Sequence, residues 1–340
     1  MNEKLVYLSF TDERVVSAWK SMETPEMSPF LHYDYLRYAY TCTRLTRPYR
    51  PKVACIFRGE EIVMLLAVMT SLDGRYLKLL GDIQGCDRCD ALWKPSLSLE
   101  ERRELARFFF AAERRKMKIH RIEDGSPLLD VIPQERVVKV NVEPYVHIPL
   151  TTDLESHIAT LSSSVRQNIR TAYNRMNRDG IQFRLEIFDA ERPIDEKTWK
   201  ELMDLYFSRL FSKYKSKLVG NIFSRWKQKF IYYRIKHDTL SLHYLSNSFH
   251  AILYNGDRMM AFMNGLKTHD GKVVAVPRLA IDADYRFYSP GYVLVVEVLR
   301  YIASHPVLEE LDLSRGDEKY KLDTGGILYH ASDFDLKSVR

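Results

Sequence analysis

The sequence predicts an α/β (α+β) fold in two related lobes. Three observations support this: an internal repeat, helix-like and strand-like periods alternating through both copies, and a length of 340 residues that exceeds one typical domain. The repeat pairs "RGEEIVMLLAVMTSLDGRYLKLLGD" (58–82) with "NGDRMMAFMNGLKTHDGKVVAVPRLAID" (255–282). In each copy a Gly turn (Gly59, Gly256) leads into a mainly apolar run, an Asp-Gly turn (Asp73-Gly74, Asp270-Gly271) and another strand-like run. Both Gly-to-Gly spacings are 15, and the copies lie 197 positions apart. Asp-Gly between such runs signals a hairpin, because Gly accepts the positive φ that tight turns demand.

In chain order, "HYDYLRYAY" (32–40) reads as a helix after the turn-like "TPEMSPF". The first hairpin is followed by the helix "SLEERRELARFFFAAERRKM" (98–117) and the strand "IHRIED". "YVHIPLTT" ends a strand near 150, and Thr151 to Asp153 can cap the next helix, so the lobes are expected at 1–150 and 151–340. The second lobe opens with "LSSSVRQNIRTAYNRMNRDG" (161–180), a helix with Ser caps and a Gly stop. Its Val165, Ile169, Ala172 and Met176 share one face, and Arg166, Arg170 and Arg178 fall on others. The strand "IQFRLEIF" and the helices "DEKTWKELMDLYFSRLF" and "NIFSRWKQKFIYYRIKH" come next. After the second hairpin stand the helix "PGYVLVVEVLRYIAS" (290–304) and the strand "LEELDLS".

A composition of 46% hydrophobic and 28% charged residues is that of a globular protein, which excludes disorder as the theme. No run approaches the roughly 18 apolar residues of a membrane span, and "MNEKLVYLSF" lacks a signal-peptide core, so a cytoplasmic protein is expected. The cysteines Cys42, Cys55, Cys86 and Cys89 are too few for a disulfide framework and read as free thiols. "CDRC" is a C-x-x-C, but neither Cys42 nor Cys55 completes a zinc ligand pair, so no metal is expected.

The net charge of +6 is modest, but its distribution is uneven. Residues 209–236 hold nine Lys or Arg and no Asp or Glu, interleaved with aromatics including Trp226. Such a segment suits a phosphate-bearing cofactor, tRNA or an anionic membrane surface, and equally a solvated helix whose aromatics are core. Arg166, Arg170, Arg175 and Arg178 form a second basic cluster. Further on, the strand Val273 to Ile281 runs through a short loop into Ser289-Pro290-Gly291. Ser is a favoured N-cap and Pro a favoured first helical residue, so a helix starts there, with Gly291 leaving its first turn open. Its exposed N–H groups and dipole suit a phosphate, although a capped helix after a strand is also plain architecture.

The second lobe resembles the acetyltransferase domain of the cellulose-biosynthesis-type proteins, of the Gcn5-related N-acyltransferase (GNAT) superfamily, and is similar to the Fem-type aminoacyltransferases. The matching stretches are "LSSSVRQNIRTAYNRM", "YRFYSPGYVLVVEVL" and "LDLSRGDEKYK"; "SPFLHYDYLRYAY" resembles the family's first lobe. The resemblance implies tandem Gcn5-type lobes, each a mixed, mostly antiparallel sheet flanked by helices, the first degenerate. It also implies an acyl-CoA donor (acetyl or longer) and transfer to an amine of a sugar, amino-lipid or cell-envelope or polysaccharide precursor, with peripheral membrane contact. The superfamily's Arg/Gln-x-x-Gly-x-Gly/Ala loop is absent and the single Gly291 stands in its place. Fem-type relatives take their acyl group from charged tRNA, which is therefore the alternative donor, and a non-catalytic binding module is a third reading.

On this resemblance, Ser289, Gly291, Tyr292 and Arg286 are the expected cofactor contacts, and Arg166, Arg170 and Trp226 the expected acceptor contacts. The candidate catalytic residues lie in "LDLSRGDEKYKLDTGG" (311–326). Asp317 or Glu318 serves as base if burial raises its pKa, Tyr320 protonates the leaving thiolate, and Lys321 holds a carbonyl or phosphate oxygen. The competing readings are acidic residues that cap the next turn and a Tyr-Lys pair that closes a sheet edge.

Overall fold

A computed structural model of the chain describes residues 3–81, 86–150, 153–215, Trp226, Phe230, Tyr233 and 242–339. The chain forms two compact units, one built principally from Met1–Pro144 and Tyr329–Arg340, the other from Tyr145–Lys236 and Leu240–Leu328.

The first unit contains β1 (Glu3–Leu8), α1 (Glu13–Met22), α2 (Tyr33–Thr46), β2 (Tyr49–Arg58), β3 (Glu61–Ser71), β4 (Tyr76–Leu79), β5 (Ala91–Trp93), α3 (Leu99–Ala112) and β6 (Lys116–Glu123). The apolar run of β3 is buried without alternation from Ile62 to Met69, as in a strand covered on both faces. A full capping box between Ser98 and Glu101 starts α3. This helix ends at Ala112 rather than at 117, because Lys116 and Met117 pair with Tyr76 and Leu77 and so already belong to β6.

β7 (Val137–Pro149) leads into the second unit, which contains α4 (Leu154–Thr160), α5 (Ser163–Arg178), β8 (Phe183–Phe188), α6 (Glu196–Lys215), β9 (Ser248–Asn255), β10 (Arg258–Lys267), β11 (Val273–Ile281), α7 (Pro290–Ala303), β12 (Glu310–Arg315) and α8 (Lys319–Asp323). β13 (Ile327–Leu336) closes the chain and pairs with β6, so the last residues join the first unit rather than a lobe running to 340. Asp153 and Ser162 cap α4 and α5 through their side chains, and Gly180 follows α5 at φ 67°.

The strand order is β1-β2-β3-β4-β6-β13 in the first unit and β7-β12-β11-β10-β9-β8 in the second. Within each, one pair is parallel, β4 with β6 and β11 with β12, and the other described pairs are antiparallel. The sheets are thus mixed and mostly antiparallel, and the hairpin, helix and strand repeat is real in both. The turn glycines Gly59, Gly74, Gly256 and Gly271 all have φ between 57° and 77°.

The two faces of the second sheet bury different helices. Phe249, Ala251, Leu253, Ala261 and Met263 pack with the apolar faces of α5 and α7. Their strand neighbours His250 and Phe262 point the other way, against Trp199 and Tyr206 of α6, with ring centroids 5.3 and 6.5 Å apart. Gly265 sits at a bulge where β10 and β11 approach so closely that a Cβ would lie 1.8 Å from the Ala275 carbonyl oxygen.

Candidate active site

The parallel pair β11–β12 is short. Val273, Val274 and Ala275 pair with Glu310, Leu311 and Asp312, and there the ladder stops. On β11 the next residues include Pro277, which has no N–H to offer. On β12, Ser314 takes a left-handed φ of 59° and Gly316 a φ of 101°, and the register against β7 shifts between Asp312 and Arg315. Local chemistry on both strands therefore drives them apart.

A cavity of about 200 Å³ lies where they part, beneath α6. Its polar wall is Tyr206 and Arg209 of α6, Arg278 of β11, and Arg315, Glu318, Tyr320 and Lys321 from the end of β12 and α8; Val276, Leu279 and Leu313 supply apolar surface. Arg278 is 2% exposed. Its Nη1 donates to Asn264 Oδ1 at 2.8 Å, and Asn264 Nδ2 meets His250 Nδ1 at 2.7 Å. Burial, with His243 and Arg278 nearby, drives His250 down to about 3, so the ring is neutral and can accept the Asn264 amide proton. The three side chains cross β11, β10 and β9 as one buried relay that fixes Arg278 at the cavity wall.

The opening charges of "SRGDEKYK" separate into distinct jobs. Lys321 is 3% exposed, and its ammonium donates to the carbonyls of Ser314 (3.3 Å), Arg315 (2.7 Å) and Gly316 (3.1 Å). Those bonds hold the kinked end of β12, and they engage the donors that a substrate oxygen would otherwise meet. Tyr320 faces the cavity, and no described residue hydrogen-bonds its hydroxyl. Burial pushes its phenol up, Glu318 adds to the rise and Arg209 opposes it, so it stays protonated. A phenol raised in this way is a hydrogen-bond donor to a developing thiolate rather than a strong proton source. Asp317 and Glu318 are both exposed, so the burial on which a base role was conditional is absent; Glu318 nevertheless lines the cavity and pairs with Lys321 at 3.0 Å.

The expected cofactor contacts gather at the start of α7. Ser289 is its N-cap residue, but the hydroxyl makes no capping bond, because Ser289 has φ 51° instead of the extended backbone that lets a side chain cap. Its carbonyl accepts the N–H of Tyr292 at 3.0 Å. A Cβ on Gly291 would meet Ile281 at 3.6 Å, an ordinary contact, so packing alone does not demand glycine there. Tyr292 donates to Asp323 at 2.5 Å, and Asp323 also takes two bonds from Lys319. Arg286 is exposed one turn before α7, and Arg175 donates to the Phe287 carbonyl at 3.0 Å while stacking on its ring.

The expected acceptor contacts do not reach this site. Arg166 donates to the carbonyls of Ala159 (2.9 Å) and Leu161 (2.5 Å) and so closes the end of α4, while Arg170 is exposed and touches Gln167. Trp226 is exposed, and most of the basic segment around it, 216–241, lies outside the described residues. The sequence reading held Arg209 only as the first cation of the 209–236 segment and missed Tyr206 and Arg278; for Arg278 the available signal was an arginine beside a proline inside the otherwise apolar strand "VVAVPRLAI".

The first unit shows what the same gap becomes when filled. There β4 and β6 pair as far as Lys78 and Lys118, and β6 likewise kinks through a left-handed residue, Arg121 at φ 57°. The Cys89 N–H donates to the Arg121 carbonyl at 3.1 Å, and the Arg121 guanidinium binds the carbonyls of Gly81 (3.0 Å) and Cys86. Chain and guanidinium together bridge the gap with buried Cys86 and Cys89. Among the described residues no three His, Cys, Asp or Glu gather as a metal site, and no helix is long and apolar enough to cross a membrane.

Residues 163–322 match the family model of the acetyltransferase (GNAT) domain. No curated protein matches the chain by sequence. Among solved structures, FemX covers 98% of this chain and 97% of its own at 10% identity and TM-score 0.54. The C-terminal domain of a putative lysylphosphatidylglycerol synthetase from Agrobacterium fabrum covers 95% and 92% at 14% identity and TM-score 0.54. A tandem GNAT protein from the clavulanic acid biosynthesis pathway covers 100% of both chains at 11% identity and TM-score 0.51. These likenesses establish the fold, and the family match places the acetyltransferase domain on the unit with the open gap. Residues 163–322 thus form an acetyltransferase (GNAT) domain, and the chain as a whole shares the fold of a tandem GNAT protein.

Proposed function

We propose that this protein is an acyl-CoA-dependent N-acyltransferase that transfers an acetyl or longer acyl group to an amine of a sugar, amino-lipid or other envelope or polysaccharide precursor. The observation that carries this reading is the parting of β11 from β12 after Ala275 and Asp312, with a cavity behind it. From Val276 onward the edge of β11 has no ladder partner in β12, so an extended amide-bearing chain can lie there as a strand does. The start of α7, with Gly291 and exposed Arg286, fits the phosphates of such a donor.

In the transfer, a C–N bond forms to the acyl carbon as the C–S bond breaks. The ammonium loses one proton to solvent, since Asp317 and Glu318 are both exposed, and its second proton leaves with the thiolate as free thiol, while the Tyr320 hydroxyl hydrogen-bonds the departing sulfur. Lys321 acts as a positioning residue that holds the kink of β12. Calorimetry with acetyl-CoA and a longer acyl-CoA tests the reading: saturable binding of one is expected, and binding of neither sinks it. Tyr320→Phe is expected to lower kcat while leaving the acyl-CoA dissociation constant unchanged.

A Fem-type aminoacyltransferase is the second reading, favoured by the likeness to FemX over nearly the whole chain and by the nine cations in 209–236. Retention of charged tRNA, without acyl-CoA binding, would select it.

A further inference from the structure

We infer that Cys86 and Cys89 are a redox-active dithiol, which a hydroperoxide converts to an intrachain disulfide and a thiol reductant reopens. The pair lies in the first unit, so the inference stands apart from the transfer reaction proposed for the second.

The stretch "GCDRC" puts two residues between the cysteines, a spacing at which neighbouring thiols can join. The structure brings both sulfurs onto one glycine. A Cβ on Gly81 would lie 2.9 Å from Cys86 Sγ and 2.7 Å from Cys89 Sγ, so any side chain there would displace them. In the reduced form Cys86 Sγ donates to the Arg88 carbonyl at 3.2 Å and Cys89 Sγ to the Leu80 carbonyl at 3.7 Å.

A plug for the gap needs only apolar bulk, yet this one is assembled from polar and strained parts. Arg121 takes a left-handed φ of 57°, its N–H donates to Asp333 Oδ1 at 2.8 Å, and its guanidinium meets the carbonyls of Gly81 (3.0 Å) and Cys86. With its own carbonyl accepting the Cys89 N–H at 3.1 Å, it grips both cysteines. Burial and Asp87 disfavour a thiolate at Cys86, but the Cys89 thiol, the Arg121 guanidinium and the Tyr35 hydroxyl outweigh them and hold the Cys86 thiol below its usual range. Cys55 is the contrast. It is buried in β2, its Sγ donates to the Val53 carbonyl at 3.6 Å, and burial pushes its thiol up to about 12.

In the oxidation, the Cys86 thiolate attacks the hydroperoxide, the O–O bond breaks, one water leaves and a sulfenic acid remains. The Cys89 sulfur then attacks that sulfur, the S–S bond forms as the S–O bond breaks, and a second water departs with the Cys89 proton. The dithiol loses two electrons and the hydroperoxide gains them. Cys86 and Cys89 are 0% and 4% exposed, so the oxidant is a small one such as hydrogen peroxide.

The test exposes the full reduced chain, freed of reductant, to hydrogen peroxide, alkylates the remaining thiols in denaturant at intervals, and maps the products by mass spectrometry. Trypsin cuts after Arg88, between the two cysteines, so the disulfide holds two peptides together until reduction parts them. This linked pair is expected to form at least about tenfold faster than Cys55 is oxidised, and to vanish with dithiothreitol. In Cys89→Ser the sulfenic acid on Cys86 should persist and be captured by dimedone; the wild-type map reports even if that variant fails to fold. Oxidation of Cys55 as fast as of Cys86 overturns the inference, as does sulfinic acid at Cys86 without the linked pair, or linkage of Cys86 to Cys42 instead. It is equally overturned if both thiols survive, in the folded protein, peroxide that oxidises the urea-unfolded chain.

Discussion

Replacing Lys321 by Met tests whether this buried cation is part of the scaffold. Methionine keeps most of the aliphatic stem while removing a charge that donates to three carbonyls at 2.7 to 3.3 Å, on the kinked residues Ser314, Arg315 and Gly316. Hydrogen bonds from a charged donor contribute roughly 1.5–3 kcal/mol each, and they are not additive when they share one donor. The substitution leaves three carbonyls without this donor, and a buried acceptor left unsatisfied costs about 1–3 kcal/mol, so a loss of at least about 2 kcal/mol is expected for Lys321→Met. The control is Glu318→Gln: its carboxylate is 59% exposed, so the 3.0 Å ion pair contributes no more than about 1 kcal/mol. Urea denaturation followed by circular dichroism measures both. Lys321→Met within about 1 kcal/mol of wild type, or Glu318→Gln as costly as Lys321→Met, would refute the scaffold assignment.

Gly265→Ala places a Cβ 1.8 Å from the Ala275 carbonyl oxygen, so a loss of at least about 3 kcal/mol is expected in the same urea assay, with tolerance of alanine contradicting the bulge geometry. Gly291→Ala meets only ordinary contacts, so its stability should stay within about 0.5 kcal/mol of wild type while acetyl-CoA binding weakens; unaltered binding would remove α7 from the donor site. His250 is depressed from 6.5 to about 3, so the unfolded chain takes up its proton first as pH falls. Its contribution is complete above about pH 6.5 and is lost progressively toward pH 3, a span on the order of 5 kcal/mol. The difference in stability between wild type and His250→Gln should shrink over that window, and a difference independent of pH would show that His250 is not buried neutral.

Much of the architecture follows from local sequence. The spaced Gly and Asp-Gly turns, the apolar runs between them and the Ser, Asp and Gly caps are short-range signals, because φ limits and capping bonds act over a few residues. They were sufficient for two hairpin, helix and strand units, for the apolar face of α5 and for the start of α7 at Pro290. Local rules misjudged two points, the end of α3 and the hydroxyl of Ser289. Long-range pairing of Lys116 with Tyr76 overrode helix propensity in one, and a left-handed backbone displaced the favoured cap geometry in the other.

The sequence by itself determined the repeat, its hairpin, helix and strand units and the stretch of chain where charge gathers. Only the tertiary structure decided which charges meet. Arg209, Arg278 and Arg315 are far apart in sequence and converge because α6 roofs the point where β11 and β12 part. Asp317, one residue from Glu318, turns to solvent, and Lys321, one residue from Tyr320, turns inward to the backbone. The filled gap of the first unit and the open gap of the second likewise differ by what folds into them, Cys86, Cys89 and the Arg121 guanidinium in one and a cavity in the other. Backbone preferences are written residue by residue, whereas a binding site depends on which side chains distant segments bring to one place.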